Sequence, residues 1–312
     1  MFFTDTKTKY RRNAVLRRLS AVACAVFFAL SAACGEPEAP TERESAVSAV
    51  QIRNAGAEFT HEYPLDKVQK KMYATLAESM RSPSEELLIY EYKGDHMDFL
   101  LNDALIAVTC YTMDNPLDSQ LLANCDIRMD NGGKNSRKHR ICAYPRSSAD
   151  SIGISLMKRS DVETVSRNFV DSIADLGEEE KLRAIHDRLC RGSYDNDINA
   201  ASHTVYSALI EKKAVCDGYA YAFKYLCDLA DIDCIVVIGT FDKALDSAPG
   251  HAWNLVWFEG DWKLVDISFD VYDISVGYEA PSYRHFLIDD LSDFGRLPYK
   301  SYPVPRYRSY QE

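Results

Sequence analysis

The sequence predicts an α+β fold, with helices first and an antiparallel sheet afterwards. Three observations predict it. From Ser160 onward, Val162, Val165, Phe169, Ile173 and Leu176 recur at helical spacing. After Cys216 the same spacing returns in Tyr219, Phe223, Leu226 and Ala230. The period then changes to two in "CIVVIGT" (234–240), "HAWNLVWFE" (251–259) and "WKLVDIS" (262–268). The last two runs are joined by a short link centred on Glu259-Gly260, which predicts a hairpin.

Residues 1–33 precede that fold. Lys7, Lys9, Arg11, Arg12, Arg17 and Arg18 lead into the apolar run "LSAVACAVFFALSAA", which ends at Cys34. A basic region, a short apolar run and small residues before a cut describe a signal peptide. The run is 15 residues long, short of the ~20 that a membrane-spanning helix needs. "SAAC" before Gly35 resembles a bacterial lipobox, which implies cleavage before Cys34 and lipidation of its thiol. Ser31 departs from the aliphatic residue usual there, and ordinary cleavage or an uncleaved anchor are the alternatives. "AVAC" at Cys24 fits the box better but leaves only a stub of apolar run. The expected location is outside the cell membrane, held by the lipid, with secretion as the alternative.

Loss of residues 1–33 removes six basic side chains and one acid, so the net charge moves from −11 to −16. So acidic a chain is a poor partner for nucleic acid or anionic headgroups. The membrane is therefore expected as a partner only through the N-terminal lipid. With Cys24 removed and Cys34 lipidated, seven of the nine cysteines remain, an odd number, so an exported chain leaves at least one thiol unpaired. No CxxC pair or His/Cys cluster has metal-ligand spacing, and no acidic loop has calcium-ligand spacing; neither metal nor cofactor is expected.

Residues 34–55 read as a lipidated cysteine and tether, since "GEPEAPTERESAVS" is rich in Glu, Pro and Ser without an aromatic residue. Residues 56–158 form an α/β region of unassigned fold and role. Within it "LDKVQKKMYATLAESM" reads as helix, and "ELLIYEY", "ALIAVTCYTM" and "GISLMK" read as strands. "DNGGKNSRKHR" reads as a polar hairpin tip, with the run Arg137 to Arg140 solvated. Residues 159–295 carry the catalytic pattern, and 296–312 are a tail. Ser160 and Glu163 make a capping box that starts the first helix. Leu182, Ile185 and Leu189 share one face of the second, which stops near Gly192. A third, around Ala201 to Glu211, leads to "KKAVCDGYAYAFKYLC" (212–227).

Cys216, His251 and Asp266 are poorly explained by packing. A helix N-terminus favours a thiolate and is expected to lower the thiol pKa. Gly218 is expected to keep the first turn slim for an approaching substrate. In the hairpin, any two- or four-residue loop makes opposed residue numbers sum to an odd value. His251 and Asp266 then share a face, directly or diagonally opposed. A carboxylate on one imidazole nitrogen leaves the other to take a thiol proton. Cys227, mid-helix, reads as a packed core thiol.

"KKAVCDGYAYAF…HAWNLVW…GDWKLVDISFD" resembles the transglutaminase-like domain of bacterial surface proteins, over about residues 160–290. "YSALIEKK" before the cysteine and "YRHFLIDD" at the end belong to the resemblance. It implies a papain-like transglutaminase core, with Cys216 as nucleophile, His251 as general base and acid, and Asp266 as the orienting acid. Ser268 stands where the family usually has threonine. The implied activity is attack on a carboxamide or peptide carbonyl through a thioester, ending in hydrolysis or in transfer to an amine. The implied partner is a peptide or protein, cell-wall peptides included. The alternative is an inactive binding or scaffold module on the same fold.

For the oxyanion, the Cys216 backbone N–H is the expected first donor and Tyr206 the candidate second. Trp253 is placed at the cleft wall, Asn254 as a supporting hydrogen bonder, and Asp270 in the turn after the strand. His186, His203 and His285 have no partner in the pattern.

Overall fold

The computed structural model describes residues 50–51, 60–61, 65–94, 99–130, 138–146, 151–240, 250–290 and 297–298. The signal peptide, Cys34 and most of the tether and tail lie outside them. Within the expected tether, Val50–Gln51 pairs antiparallel with Thr60–His61. Among the described residues, no helix is long and apolar enough to cross a membrane.

Asp66 starts helix α1 (Lys67–Ser79) with a capping box: its carboxylate accepts from the Val68 and Gln69 N–H groups, and Gln69 reaches back. Strand β1 (Leu87–Lys93) follows, then helix α2 (Phe99–Asp114). A turn and the single-turn helix α3 (Ser119–Leu122) lead to β2 (Cys125–Asp130) and β3 (Lys138–Pro145). These strands form an antiparallel sheet in the order β1-β3-β2. Lys138 and Arg140 of the basic run pair with Glu91 and Glu86.

"ALIAVTCYTM" is helix α2, not the expected strand. Its apolar run is continuous because the helix is buried on two sides. Ala104, Ala107 and Tyr111 join a cluster with Met72, Leu76, Leu87 and Ile141. Ile106, Cys110 and Met113 join the larger cluster around Tyr219, Phe223 and Leu226. "GISLMK" likewise lies in helix α4 (Ser151–Ser172), which begins nine residues before the expected Ser160 cap.

Helix α5 (Glu178–Leu189) buries Leu182, Ile185, His186 and Leu189. The expected third helix is a 3₁₀ turn at Ala200–His203 followed by a π-helical stretch at Ser207–Glu211. On either side of them in the chain, β4 (Ser193–Tyr194) pairs in parallel with β5 (Lys213–Ala214). Helix α6 (Cys216–Leu229) comes next and is buried continuously from Cys216 to Cys227. Strands β6 (Cys234–Thr240), β7 (His251–Phe258) and β8 (Asp261–Val265) then form an antiparallel sheet, completed by β9 (Leu297–Pro298) in the order β8-β7-β6-β9.

This sheet has two buried faces. Val236, Ile238, Ala252 and Val256 belong to the cluster that holds α6. Ile235, Val237, Trp253, Leu255, Trp262 and Leu264 make a separate cluster on the other side. Helix α7 (Ile267–Ser275) begins directly after β8. All seven described cysteines are free and buried.

Candidate active site

Cys216 is the first residue of α6. Val215 before it is extended, and its N–H donates to the Ser202 carbonyl at 3.1 Å. Gly218 permits that approach: a Cβ there would sit 2.6 Å from the Ser202 oxygen and 3.3 Å from the Thr204 oxygen. The glycine therefore seats the 200–203 turn against the first turn of α6. This corrects its expected role, because backbone of the same chain occupies the space meant for substrate.

The hairpin turn has positive φ at both Glu259 (54°) and Gly260 (84°), as the two-residue type I′ turn requires. Register pairs Trp262 with Trp257 and Val265 with Asn254. His251 and Asp266 are thus diagonal neighbours across the strand ends. His251 Nε2 lies 2.7 Å from Asp266 Oδ2, and both side chains are buried. Asp266 has a second duty that cuts the expected strand short at Val265. Its Oδ1 N-caps α7, accepting from the Phe269 N–H at 3.2 Å and from Ser268 Oγ at 2.8 Å. The serine that replaces the family's threonine keeps this hydroxyl.

Cys216, Asp217, His203, His251, Ala252 and Ile238 line one cleft, of about 290 Å³ empty volume including its mouth. The cysteine and the histidine therefore meet at the end of β7 where α6 begins. The expected drop in thiol pKa is absent. Burial pushes the Cys216 thiol up, and the Asp217 carboxylate adds to it, while N–H groups of Ala252 and Asp217 pull the other way. Desolvation of the charged form outweighs the helix N-terminus.

Several residues have other places than the sequence suggested. Tyr206 is absent from the cleft lining; its ring lies under the Lys158 ammonium at 4.5 Å. Trp253 belongs to the cluster on the sheet face away from α6, so it does not wall the cleft. Its ring stacks on His251 at 5.9 Å. Asn254 Nδ2 donates to the Ala220 carbonyl at 3.0 Å and to Ile235 at 3.3 Å, tying α6 to the sheet. Asp270 is not in a turn but fully buried in α7, accepting from His186 Nε2 and Ser282 Oγ, both at 3.0 Å, and from the His285 N–H.

The histidines without a sequence partner all have one. Besides His186 with Asp270, His285 Nε2 lies 3.6 Å from Asp273, which also pairs with Arg284. His203 Nδ1 donates to both Asp217 oxygens, at 2.7 and 2.8 Å. These carboxylates lie 12 to 84 residues from their histidines, beyond any local pattern, and His186 Nδ1 also lies 3.2 Å from the adjacent Asp187. For His203, reading its segment as helix hid the cue, a polar "SHT" opposite the nucleophile's turn. Asp270, Asp273 and His285 could offer a cation three ligand atoms within 4.8 Å of one another. These atoms already hold partners within the protein.

Residues 166–267 match the family model of the transglutaminase-like superfamily. This stretch is a transglutaminase-like domain. The match contains Cys216, His251 and Asp266 and ends one residue beyond the last of them. The kyphoscoliosis peptidases of human and mouse are each 32% identical to the chain over 162 residues, which is 43% of this chain and 23% of theirs. The chain thus spans about a quarter of the length of these relatives (23%). Among solved structures, the periplasmic domain of TgpA from Pseudomonas aeruginosa, bound to ethylmercury, is similar at 16% identity. That likeness covers 49% of this chain and 68% of the other, with a TM-score of 0.30.

Proposed function

We propose that the transglutaminase-like domain is a cysteine-nucleophile enzyme acting on carboxamide or peptide carbonyls. One observation carries this reading: Cys216 and His251 line one cleft, and Asp266 holds His251 by Nε2 at 2.7 Å. A carboxylate on Nε2 fixes the tautomer and leaves Nδ1 to take the thiol proton. The resting thiol is neutral, so proton transfer to His251 accompanies attack. Sulfur bonds to the carbonyl carbon, the oxygen takes the π electrons, and the tetrahedral adduct collapses. The amine leaves with the proton from His251, and a thioester remains.

Water or a lysine amine then takes the acyl group. We favour hydrolysis, since water is the acceptor in excess outside a cell and the curated relatives carry the name peptidase. The proposed setting is outside the cell membrane, through a leader at 1–33 and a lipid on Cys34, with secretion as the alternative. A peptide or protein, cell-wall peptides included, is the proposed substrate.

The test is to incubate the mature chain and its Cys216→Ala variant with quenched fluorescent peptide mixtures, with and without a biotinylated primary amine. Cleavage that needs Cys216 supports hydrolysis, and biotin attached to peptide supports transfer. A folded chain that does neither, and only retains peptide, is a binding module.

A further inference from the structure

His203 is a buried imidazole with one nitrogen used and one not. Nδ1 is held by Asp217, whereas Nε2 is buried with no hydrogen-bond partner. The residue is 8% exposed and lines the same cleft as Cys216 and His251. Native structures seldom keep a buried polar atom unmatched, and one carried by a residue that lines a cleft invites a ligand.

The mounting of the ring is elaborate. Ser202 Oγ binds Asp195, whose carboxylate also pairs with Lys213. The Ser202 carbonyl takes the Val215 N–H, and Gly218 leaves room for it. The turn that carries His203 is thereby fixed to the residues on either side of the nucleophile.

We propose that His203 Nε2–H is the second oxyanion donor of the site, beside the Cys216 backbone N–H. This rests on the acyl-transfer reading above. When Cys216 sulfur bonds to the carbonyl carbon, the displaced π pair makes an oxyanion, and Nε2–H receives it while His251 holds the thiol proton. Asp217 keeps Nδ1 protonated, so a second proton on the ring sits on Nε2. The charged groups facing the ring suit that state. Asp217 on α6 and Asp195 beside β4 are both acids, with the Cys216 thiol and His251 across the cleft. Burial pulls the imidazolium down, but these acids outweigh it and its pKa is raised. A cationic donor in a desolvated site is the strong kind. Tyr194, whose phenol burial keeps protonated, is the rival donor near Cys216.

The probe is p-nitrophenyl acetate, which acylates a cysteine through an oxyanion, with iodoacetamide, which alkylates without one, run in parallel. Acylation is read by the p-nitrophenolate burst and by the mass of the Cys216 peptide. His203→Ala is expected to slow acylation about 10²-fold or more while leaving alkylation unchanged, and His203→Gln, which retains an N–H, to recover part. Asp217→Asn is expected to give acylation that falls as pH passes about 6.5, where the wild type does not; this arm decides if the alanine variant fails to fold. Wild-type acylation in His203→Ala overturns the inference. So does alkylation that falls in step with acylation, or a loss seen in Tyr194→Phe alone. If the folded wild type shows no Cys216 acylation at all, the acyl-transfer reading fails and takes this one with it.

Discussion

His251 and Asp266 are joined at 2.7 Å by two strands whose register a two-residue turn decides. Asp266 also caps the helix that follows, so one carboxylate fixes both the imidazole and the chain's exit from the sheet. The two duties separate by substitution. Asn caps as well as Asp but presents the wrong partner to an imidazole. Asp266→Asn is expected to keep the fold and lower turnover by about 10⁴-fold, the scale for a triad carboxylate. Asp266→Ala adds a stability loss of about 1 kcal/mol or more from the lost cap. Unchanged turnover in Asp266→Asn, measured on a peptide substrate, removes Asp266 from the mechanism.

The buried, neutral Cys216 thiol predicts a distinct alkylation profile. Its pKa is raised by burial first and Asp217 second, so its thiolate fraction at neutral pH is below that of an ordinary thiol near 8.5. Iodoacetamide labelling of Cys216, followed by mass spectrometry, is expected to be slow at pH 7 and still climbing at about pH 9. A plateau below about pH 8 would show a preformed thiolate and refute this reading of the site. Cys216→Ala is expected to remove labelling and turnover and leave the melting temperature near that of the wild type.

The sheet and the His251–Asp266 pair were legible because a strand has period two and a tight hairpin fixes parity. No other element of the site has so rigid a rule. Helix α2 misled because "ALIAVTCYTM", buried against two clusters, has no polar face to reveal its period. The strand expected through Ser268 stops at Val265 because Asp266 prefers to cap. His203 and His186 meet carboxylates from remote segments, and only the packing of α6 and α7 brings them together. The same long-range packing raises the Cys216 pKa, which the helix terminus alone would lower.

The His186–Asp270 contact is buried on both sides. Asp270 further receives Ser282 Oγ and the His285 N–H, linking α5, α7 and the segment after it. Removing one partner of such a contact strands the others without water, at a cost of about 3–5 kcal/mol. Asp270→Ala is expected to lower the melting temperature by about 10 °C, read by circular dichroism. An unchanged melt would show that the network contributes nothing to stability.

His203 gives the stability a pH dependence of known sign. Its folded pKa is raised: burial lowers it, but the charge and hydrogen bond of Asp217, with Asp195, overcome that. A raised pKa contributes stability that is fully present below the unfolded value of about 6.5 and is lost as pH rises through the folded value. The stability difference between wild type and His203→Gln, from urea melts, is expected to be largest near pH 5.5 and to shrink above about 6.5. A difference constant with pH would mean that the folded and unfolded pKa values coincide, and one that shrinks below about 6.5 would mean that the buried ring stays neutral.

Two glycines make a controlled pair. At Gly218 an added Cβ meets the Ser202 carbonyl at 2.6 Å, and backbone cannot rotate aside. At Gly153, in α4, it meets nothing within 4 Å. Gly218→Ala is expected to cost about 1–3 kcal/mol as an overpacked contact, and to displace the turn that carries His203. Turnover should therefore fall even at temperatures where the variant is fully folded. Gly153→Ala, relieved of glycine's backbone entropy inside a helix, is expected to gain up to about 1 kcal/mol with turnover unchanged. Denaturant melts and initial rates on the same preparations separate the two effects. A folded Gly218→Ala protein with wild-type turnover would mean that the 200–203 turn has no part in positioning the site.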